Sequence, residues 1–278
     1  MRRARWLAFL FAIAVLYPPR PAAAQDRVGL VLLHGKLGSP MGESPARRRA
    51  IGGRLVYALK SAGYLVATPE TCWSDRRQFD RVYADCLKEI DAVIAGLRQQ
   101  GAVGIVVGGL SMGGNAAIAY GALHSDLLGV IALSPADDPV AKMRRMPAIA
   151  ADVARARDLV TRGEGDKRDG FADFNTGPRG FFDMTVHTTP RIYLSFFAPD
   201  SLANIAANTA KLAMPLLWVA GSSDPSQGAA ITDAFKQVPP HPLNRFATVS
   251  GGHLDVPDAA ATAVLAWLED LSAHGTVR

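Results

Sequence analysis

The stretch GIVVGGLSMGGNAA, residues 104–117, joins an apolar run to a run of small residues through a turn that carries one serine, Ser111. Gly109 and Gly113 flank it in the pattern G-x-S-x-G, in which a strained strand-to-helix turn holds a serine hydroxyl above a parallel sheet. Glycine is needed there because a Cβ would collide where strand and helix approach each other. The apolar run before the turn and the helix-forming residues after it are the context that this motif requires. The stretch therefore predicts a nucleophilic serine at the end of a buried strand.

Outward from this stretch, five further segments are predicted as strands: residues 28–33, 64–69, 129–134, 215–220 and 245–249. Continuous apolar runs are typical of parallel strands that are covered on both faces. Segments between them carry apolar residues on one helical stripe, notably residues 79–100 and the segment after Pro257, and Ser44-Pro45 is a plausible helix start. Strands that alternate with helices predict an α/β fold, with a mostly parallel central sheet and helices on both faces.

The first 24 residues predict a secretory signal peptide. Three arginines precede an apolar run at residues 6–17, and an Ala-Ala-Ala cleavage site ends at residue 24. The run is too short for a membrane-spanning helix, although an uncleaved anchor is the alternative. We therefore expect one α/β domain, residues 25–278, in the periplasm or outside the cell, with no stable membrane anchor once the signal is removed.

The signal accounts for most of the net positive charge. The chain has 30 basic and 25 acidic residues, and four of the basic residues lie in the first 24, which leaves 26 against 25. A chain with nearly equal numbers of basic and acidic residues gives no electrostatic reason to expect nucleic-acid binding.

Two cysteines, Cys72 and Cys86, remain in a chain that is expected to enter an oxidising compartment. Pairing in a disulfide is favoured there, and two separate buried thiols are the alternative. No cluster of Cys or His surrounds either residue in the sequence, so we expect no metal site.

Residues 137–213 form the longest segment between two predicted strands. They contain polar helix-like pieces, a glycine-rich middle and, in the second half, scattered phenylalanines and tyrosines. A connection of this length within a compact domain is typical of a functional insertion. We predict a helical cap, one or two of whose aromatic residues contact substrate. Trp73, in an earlier loop, either lines the same pocket or covers the core.

Three polar residues, Ser111, Asp224 and His253, each follow a predicted strand. Catalytic groups of open α/β sheets gather at the carboxyl ends of the strands, and the order Ser, Asp, His is the one associated with this turn. A serine hydroxyl needs a base to accept its proton, and the base needs a partner that fixes its tautomer. We assign Ser111 as nucleophile, His253 as general base and then acid, and Asp224 as the orienting carboxylate.

Attack on a carbonyl carbon builds negative charge on the carbonyl oxygen. Backbone N–H groups must already be in place to stabilise this charge by hydrogen bonds. The N–H of Met112, at the predicted helix start, is one candidate. The other is the N–H of Lys36, in the loop HGKLGS at residues 34–39. His34 is expected to shape that loop and to take no part in the chemistry.

Four motifs, each after its own predicted strand, make the chain from Val28 onward resemble the α/β-hydrolase superfamily, specifically its small exported bacterial esterases: HG at 34–35, GLSMG at 109–113, GSSD at 221–224 and GH at 252–253. The resemblance implies the same fold, triad and oxyanion donors. Some relatives place the acid after the preceding strand, so Asp137 or Asp138 is the alternative carboxylate. Many members carry His before the nucleophile, where this chain has Leu110, a difference that bears on substrate more than on competence.

The sequence thus predicts an exported serine hydrolase that cleaves small-molecule carboxylic esters through an acyl-enzyme and needs no cofactor. We expect short to medium acyl groups. An amide or peptide hydrolase on the same fold is one alternative. A periplasmic binding or accessory protein that has lost turnover is the other, since fold does not decide function.

Overall fold

The computed structural model of the chain describes residues 27–43, 51–178 and 180–274. The predicted signal peptide and the predicted helix start at Ser44-Pro45 lie outside the described residues.

Eight strands are present in these ranges: β1 Arg27–Leu33, β2 Leu65–Ala67, β3 Ala102–Leu110, β4 Gly129–Leu133, β5 Asp169–Gly177, β6 Gly180–Thr188, β7 Leu216–Gly221 and β8 Arg245–Val249. Six of them form the central sheet in the order β2-β1-β3-β4-β7-β8. Every neighbouring pair in this sheet is parallel, which confirms the predicted α/β class.

The helices of the described residues are α1 Gly53–Ser61, α2 Tyr83–Gln99, α3 Met112–Leu123, α4 Pro139–Arg145, α5 Pro147–Thr161, α6 Pro190–Phe197, α7 Ile205–Thr209, α8 Ala229–Thr232, α9 Val256–Ala259 and α10 Ala261–Ala273, with a 3-10 helix at Asp233–Gln237. Among them, none combines the length and the apolar character that a membrane-spanning helix requires.

The apolar strands are covered on both faces, as their composition predicts. On β1, Leu30 and Leu32 pack into a core that includes the buried side chains of α1 and α10. Val31 and Leu33 point the other way, into a core that includes α2, α3 and part of the insertion. Side chains alternate across a strand, so an apolar run with no polar face is stable only when both sides are buried.

The register brings the ends of the strands to one edge of the sheet. Leu33 at the end of β1 pairs with Gly109 of β3, and Leu110 pairs with Leu133 at the end of β4. Leu133 in turn pairs with Val219 of β7. The loops that follow these strands therefore emerge side by side.

The connection between β4 and β7 contains the helices α4, α5, α6 and α7, and also an antiparallel hairpin of β5 and β6. The sequence predicts a helical cap, so the hairpin is a correction to that prediction. Neither strand has an apolar run: Asp173 and Phe174 of β5 are adjacent and both buried, which breaks the alternation, and most of β6 is at least partly exposed.

Most aromatic residues of this cap pack in its interior. Tyr193 of α6 stacks on Phe171 of β5 with ring centroids 4.5 Å apart, and Phe196 meets Phe79 edge-on at 4.9 Å. Because Phe79 precedes α2 in the main domain, this aromatic cluster attaches the cap to the sheet. The hydrophobic core of the cap is therefore continuous with that of the domain beneath it.

The two cysteines form a disulfide, Cys72–Cys86, with Cα atoms 5.7 Å apart, as predicted. Both residues are buried, Cys72 in the loop after β2 and Cys86 in the first turn of α2.

Replacing both cysteines with alanine is expected to lower the free energy of unfolding by about 3 kcal/mol, because the bridge restricts a short loop in the unfolded chain. Urea denaturation of the double variant beside the oxidised wild type measures the difference. Wild-type protein treated with dithiothreitol is the control and should unfold at the midpoint of the double variant. An unchanged midpoint in both samples would contradict the prediction.

Candidate active site

Ser111 lies in the turn between β3 and α3, with φ 58° and ψ −119°. A positive φ is rare for residues with a side chain and persists only where the surroundings enforce it. Here the Ser111 N–H donates to the Leu133 carbonyl at 3.0 Å, and its carbonyl accepts from the Asn115 N–H at 3.0 Å. The turn is thus held by β4 on one side and by α3 on the other, as the G-x-S-x-G pattern predicts.

The two flanking glycines are required by the backbone of β1. A Cβ on Gly109 would lie 2.5 Å from the Leu33 carbonyl oxygen, and a Cβ on Gly113 would lie 2.3 Å from the same atom. Both distances are far inside van der Waals contact, and the obstructing atom is backbone, which cannot rotate away.

The substitution Gly113→Ala is therefore expected to lower the free energy of unfolding by about 1–3 kcal/mol through overpacking. The matched control is Gly96→Ala in α2, where no atom lies within 4 Å of the added Cβ. Alanine there should raise stability by about 0.5–1 kcal/mol, because glycine is unfavourable within a helix. Urea denaturation of both variants tests the pair, and equal effects would contradict the steric argument.

Asp224 and His253 meet at the same edge of the sheet. His253 Nδ1 lies 2.8 Å from Asp224 Oδ2, and both side chains are buried. The hydroxyl of Ser226 donates to Asp224 Oδ1 at 2.7 Å and lies 3.1 Å from His253 Nδ1. Burial alone would raise the pKa of Asp224, but the hydrogen bond and the charge of His253 outweigh it and hold that pKa below its ordinary value.

The contact between Asp224 and His253 Nδ1 determines whether His253 Nε2 can accept a proton. A carboxylate beside Nδ1 favours the tautomer that carries its proton there, which leaves the lone pair on Nε2. His253 Nε2 is buried and has no hydrogen-bond partner among the described residues. The arrangement leaves one unpaired acceptor on the His253 ring.

Ser111 and His253 line the same cavity, of about 350 Å³. Its walls come from the loop of residues 34–41, from residues 175–178 at the end of β5, and from Leu254. Phe182 of the hairpin also lines it, whereas Trp73 is fully buried and donates from its ring N–H to the His34 carbonyl. Phe182 is thus the cap aromatic on this cavity, and Trp73 belongs to the core.

Neither alternative carboxylate contacts the histidine. Asp138 caps α4 by accepting from the Ala141 N–H at 2.9 Å, and it also accepts from the Ile205 N–H at 2.8 Å. Asp137 is paired with two lysines. Asp224 is the carboxylate that the structure brings to His253.

The loop after β1 passes directly beside the serine. A Cβ on Gly35 would lie 3.3 Å from the Ser111 Cβ. The Leu37 N–H is occupied by the Trp73 carbonyl at 2.8 Å, whereas the Lys36 N–H has no acceptor among the described residues. The Met112 N–H is at the start of α3, where the first helical N–H groups have no partner within the helix. These are the two donors that the sequence predicts.

His34 shapes this loop, as expected. Its Nδ1 donates to the Gly35 carbonyl at 2.8 Å, and its Nε2 accepts from the Thr71 N–H at 3.1 Å. Burial lowers the pKa of the His34 imidazole, which keeps the ring neutral and both bonds intact.

Four buried charges behind the loop were not predicted from the sequence. We term them the buried charge cluster: Lys36, Asp137, Lys142 and Asp173. Lys36 Nζ donates to Asp137 Oδ1 at 2.8 Å and to Asp173 Oδ2 at 2.7 Å. Lys142 Nζ pairs with the same two carboxylates. A lysine directly after His-Gly, between a buried strand and a glycine loop, was the available signal for a buried cation. No grouping of three or more potential metal ligands occurs in the described ranges.

The sequence matches the model of the alpha/beta hydrolase family over residues 30–267. No curated protein matches it significantly.

Three similar solved structures cover most of both chains. The monoacylglycerol lipase of Paleococcus ferrophilus is 20% identical over 87% of this chain and 94% of its own, with a TM-score of 0.61. A structure from the work on LipS and LipT, two metagenome-derived lipolytic enzymes, is 17% identical over 90% and 95%, with a TM-score of 0.60. Est1E from Butyrivibrio proteoclasticus, with ferulic acid bound, is 17% identical over 90% and 91%, with a TM-score of 0.60. At these identities the likeness establishes the fold alone.

Proposed function

The chain belongs to the alpha/beta hydrolase family, and from that membership we propose that it is an exported serine hydrolase that cleaves carboxylic esters of small molecules. The observation that carries the proposal is the 2.8 Å contact between His253 Nδ1 and Asp224, with Nε2 unpaired at a cavity that Ser111 also lines. Ester cleavage is the reaction we favour because lipases and esterases are among its structural neighbours.

In the first step the Ser111 oxygen attacks the ester carbonyl carbon, and His253 Nε2 takes the hydroxyl proton. Asp224 remains ionised and stabilises the imidazolium that forms. The carbonyl oxygen becomes an oxyanion, which accepts hydrogen bonds from the N–H groups of Lys36 and Met112. Donors fixed in place before the reaction stabilise this charge without reorganising.

In the second step the bond to the alcohol breaks, and His253 returns its proton to the leaving oxygen. Water then attacks the acyl carbon while the same Nε2 accepts a proton from it. As the bond between this carbon and the Ser111 oxygen breaks, Nε2 gives that proton to the Ser111 oxygen and the acid leaves. Besides the ester and water, these steps use only the three side chains and the two N–H donors.

Export is part of the proposal. It is supported by the arginines, apolar run and small-residue cleavage site of residues 1–24, together with the Cys72–Cys86 disulfide. Disulfides form and persist in the periplasm and outside the cell, and are rare in cytosolic proteins.

The best test is labelling with a fluorophosphonate, which reacts with activated serines, followed by mass spectrometry of the modified peptide. Wild-type protein should be labelled at Ser111, and the Ser111→Ala variant should not. Ser222→Ala, which removes an exposed serine in the loop after β7, should be labelled like the wild type. A folded but unlabelled wild type would favour a binding or accessory protein without turnover.

A second cavity, of about 810 Å³, adjoins the one that Ser111 lines at His253 and Leu254 but does not include Ser111. The acyl group is expected in the cavity beside Ser111, whose volume of about 350 Å³ lies at the lower end of the roughly 300–1,000 Å³ of pockets for drug-sized ligands. We expect kcat/KM to be highest for acyl groups of short to medium length in a series of p-nitrophenyl esters. Faster turnover of emulsified long-chain lipids would contradict this expectation, and faster turnover of aminoacyl amides would favour an amide hydrolase.

A further inference from the structure

We propose that the Lys36 side chain is a positioning group for the oxyanion hole, and that the cap hairpin supplies part of the site in which it is fixed. The inference rests on the proposed function, because it concerns how the Lys36 backbone N–H is held beside Ser111.

The ammonium of Lys36 is fully occupied within the protein. An ammonium has three N–H donors. They have three acceptors: Asp137 Oδ1 at 2.8 Å, Asp173 Oδ2 at 2.7 Å and the Phe174 carbonyl at 2.5 Å. The side chain is completely buried, so no donor remains for a substrate. The ammonium therefore acts as an anchor for its own backbone and not as a binding group.

Charge balance keeps the anchor ionised. Burial opposes a charge on Lys36, but Asp137 and Asp173 outweigh it and raise the Lys36 pKa above its ordinary value. Burial likewise opposes a charge on Asp137, but Lys142 and Lys36 outweigh it and lower the Asp137 pKa. A buried pair is costly to break because the remaining partner keeps an uncompensated charge. The anchor is consequently rigid.

The rest of the loop is fastened on either side of Lys36. His34 is held through its ring by Gly35 and Thr71, and Leu37 by its bond to the Trp73 carbonyl. Between them the Lys36 peptide has no backbone partner among the described residues, and its side chain is the attachment. The N–H that must point at the oxyanion is thus fixed by the Lys36 side chain and its three acceptors.

The cap hairpin holds the Lys36 ammonium through its first strand, β5. Asp173 and the Phe174 carbonyl belong to β5, and residues 175–178, which follow them, line the substrate cavity. The strand that walls the cavity is also the strand that holds the Lys36 anchor. Strand β5 therefore connects the wall of the cavity to the residue whose N–H is the proposed oxyanion donor.

The experiment compares Lys36→Met with Lys142→Met. Each removes one lysine from the same buried cluster and leaves one lysine with two aspartates, so the charge change is matched. Lys142 belongs to α4 and not to the loop of residues 34–41, and it pairs with the same Asp137 and Asp173. We expect Lys36→Met to lower kcat roughly 100-fold with KM within about twofold, because small misplacements of transition-state groups have effects of this size. Lys142→Met should keep kcat within about threefold. Both variants should melt at lower temperature than the wild type.

A second readout separates positioning from general damage. Thiono esters place the developing charge on sulfur, a poorer hydrogen-bond acceptor than oxygen, and so depend less on the oxyanion donors. The ratio of ester to thiono-ester rates should therefore fall in Lys36→Met and stay at the wild-type value in Lys142→Met. Equal loss of kcat in the two variants, or an unchanged ratio in Lys36→Met, would overturn the proposal.

If the single variants do not fold, the matched doubles Lys36→Met/Asp173→Asn and Lys142→Met/Asp173→Asn each leave one balanced ion pair, and the same two outcomes apply. Fluorophosphonate labelling and turnover by the wild type test the proposed function alone. A labelled wild type with indistinguishable variants would refute the anchoring and leave the hydrolase intact.

Discussion

Replacing Ser111 with alanine is expected to lower kcat for ester hydrolysis by roughly 10⁶-fold, the scale measured when the nucleophile of a serine hydrolase is removed. The loss follows because no other group in the proposed mechanism can form the acyl-enzyme. Alanine keeps the Cβ and needs the same positive φ as serine, so the fold should be unaffected. Initial rates with a p-nitrophenyl ester measure the effect, and circular dichroism verifies the fold.

Ser222→Ala is the control for this prediction, because it removes a hydroxyl that lies outside the cavity. Its kcat should equal that of the wild type. Residual activity of Ser111→Ala above about 1% of wild type would show that a different group starts the reaction, and the proposed mechanism would be wrong.

Replacing Asp224 with asparagine is expected to lower kcat about 10⁴-fold, the second-largest effect we predict. The asparagine amide can donate to His253 Nδ1, which moves the ring proton to Nε2 and removes the base that Ser111 needs. Binding should change little, because Asp224 contacts His253 and Ser226 and does not line the cavity. Steady-state kinetics should show the loss in kcat with KM nearly unchanged.

Asp138→Asn is the discriminating comparison, because Asp138 is one of the two carboxylates that the sequence left as alternatives. Its side chain accepts two backbone N–H groups and does not contact His253, so this variant should lose stability and keep kcat within about tenfold. A larger loss of kcat in Asp138→Asn than in Asp224→Asn would reverse the assignment of the acid.

The α/β fold was predictable because its signals are local. The strands β3, β4 and β7 are apolar along their whole length, and β1 is apolar after Arg27. Such runs are typical of a parallel sheet that is covered on both faces. The elbow at Ser111 was equally clear, since glycines were required at 109 and 113 for a steric reason that the structure confirms. The triad roles stay predictions, although Asp224 and His253 lie in contact.

The hairpin and the buried charge cluster were not predictable for a shared reason. In β5 a charged residue, Asp173, is buried because its partners are Lys36 and Lys142, which are 137 and 31 positions away along the chain. In the local sequence, a charged residue such as Asp173 within a strand indicates a side chain that is exposed to solvent. The ion pairs that make burial of Asp173 favourable form only when folding brings the distant lysines to it.

The buried charge cluster also limits how this protein can be redesigned. Lid segments are attractive units to exchange when a hydrolase is to be given a new selectivity, and here the segment between β4 and β7 carries both acids that neutralise Lys36, Asp137 and Asp173. A transplanted lid without acceptors at the places of Asp137 and Asp173 would leave the Lys36 ammonium buried without a counter-charge behind the loop of residues 34–41. Chimeras of this protein should therefore be built with Asp137 and residues 173–174 retained, or with Lys36 exchanged in the same step.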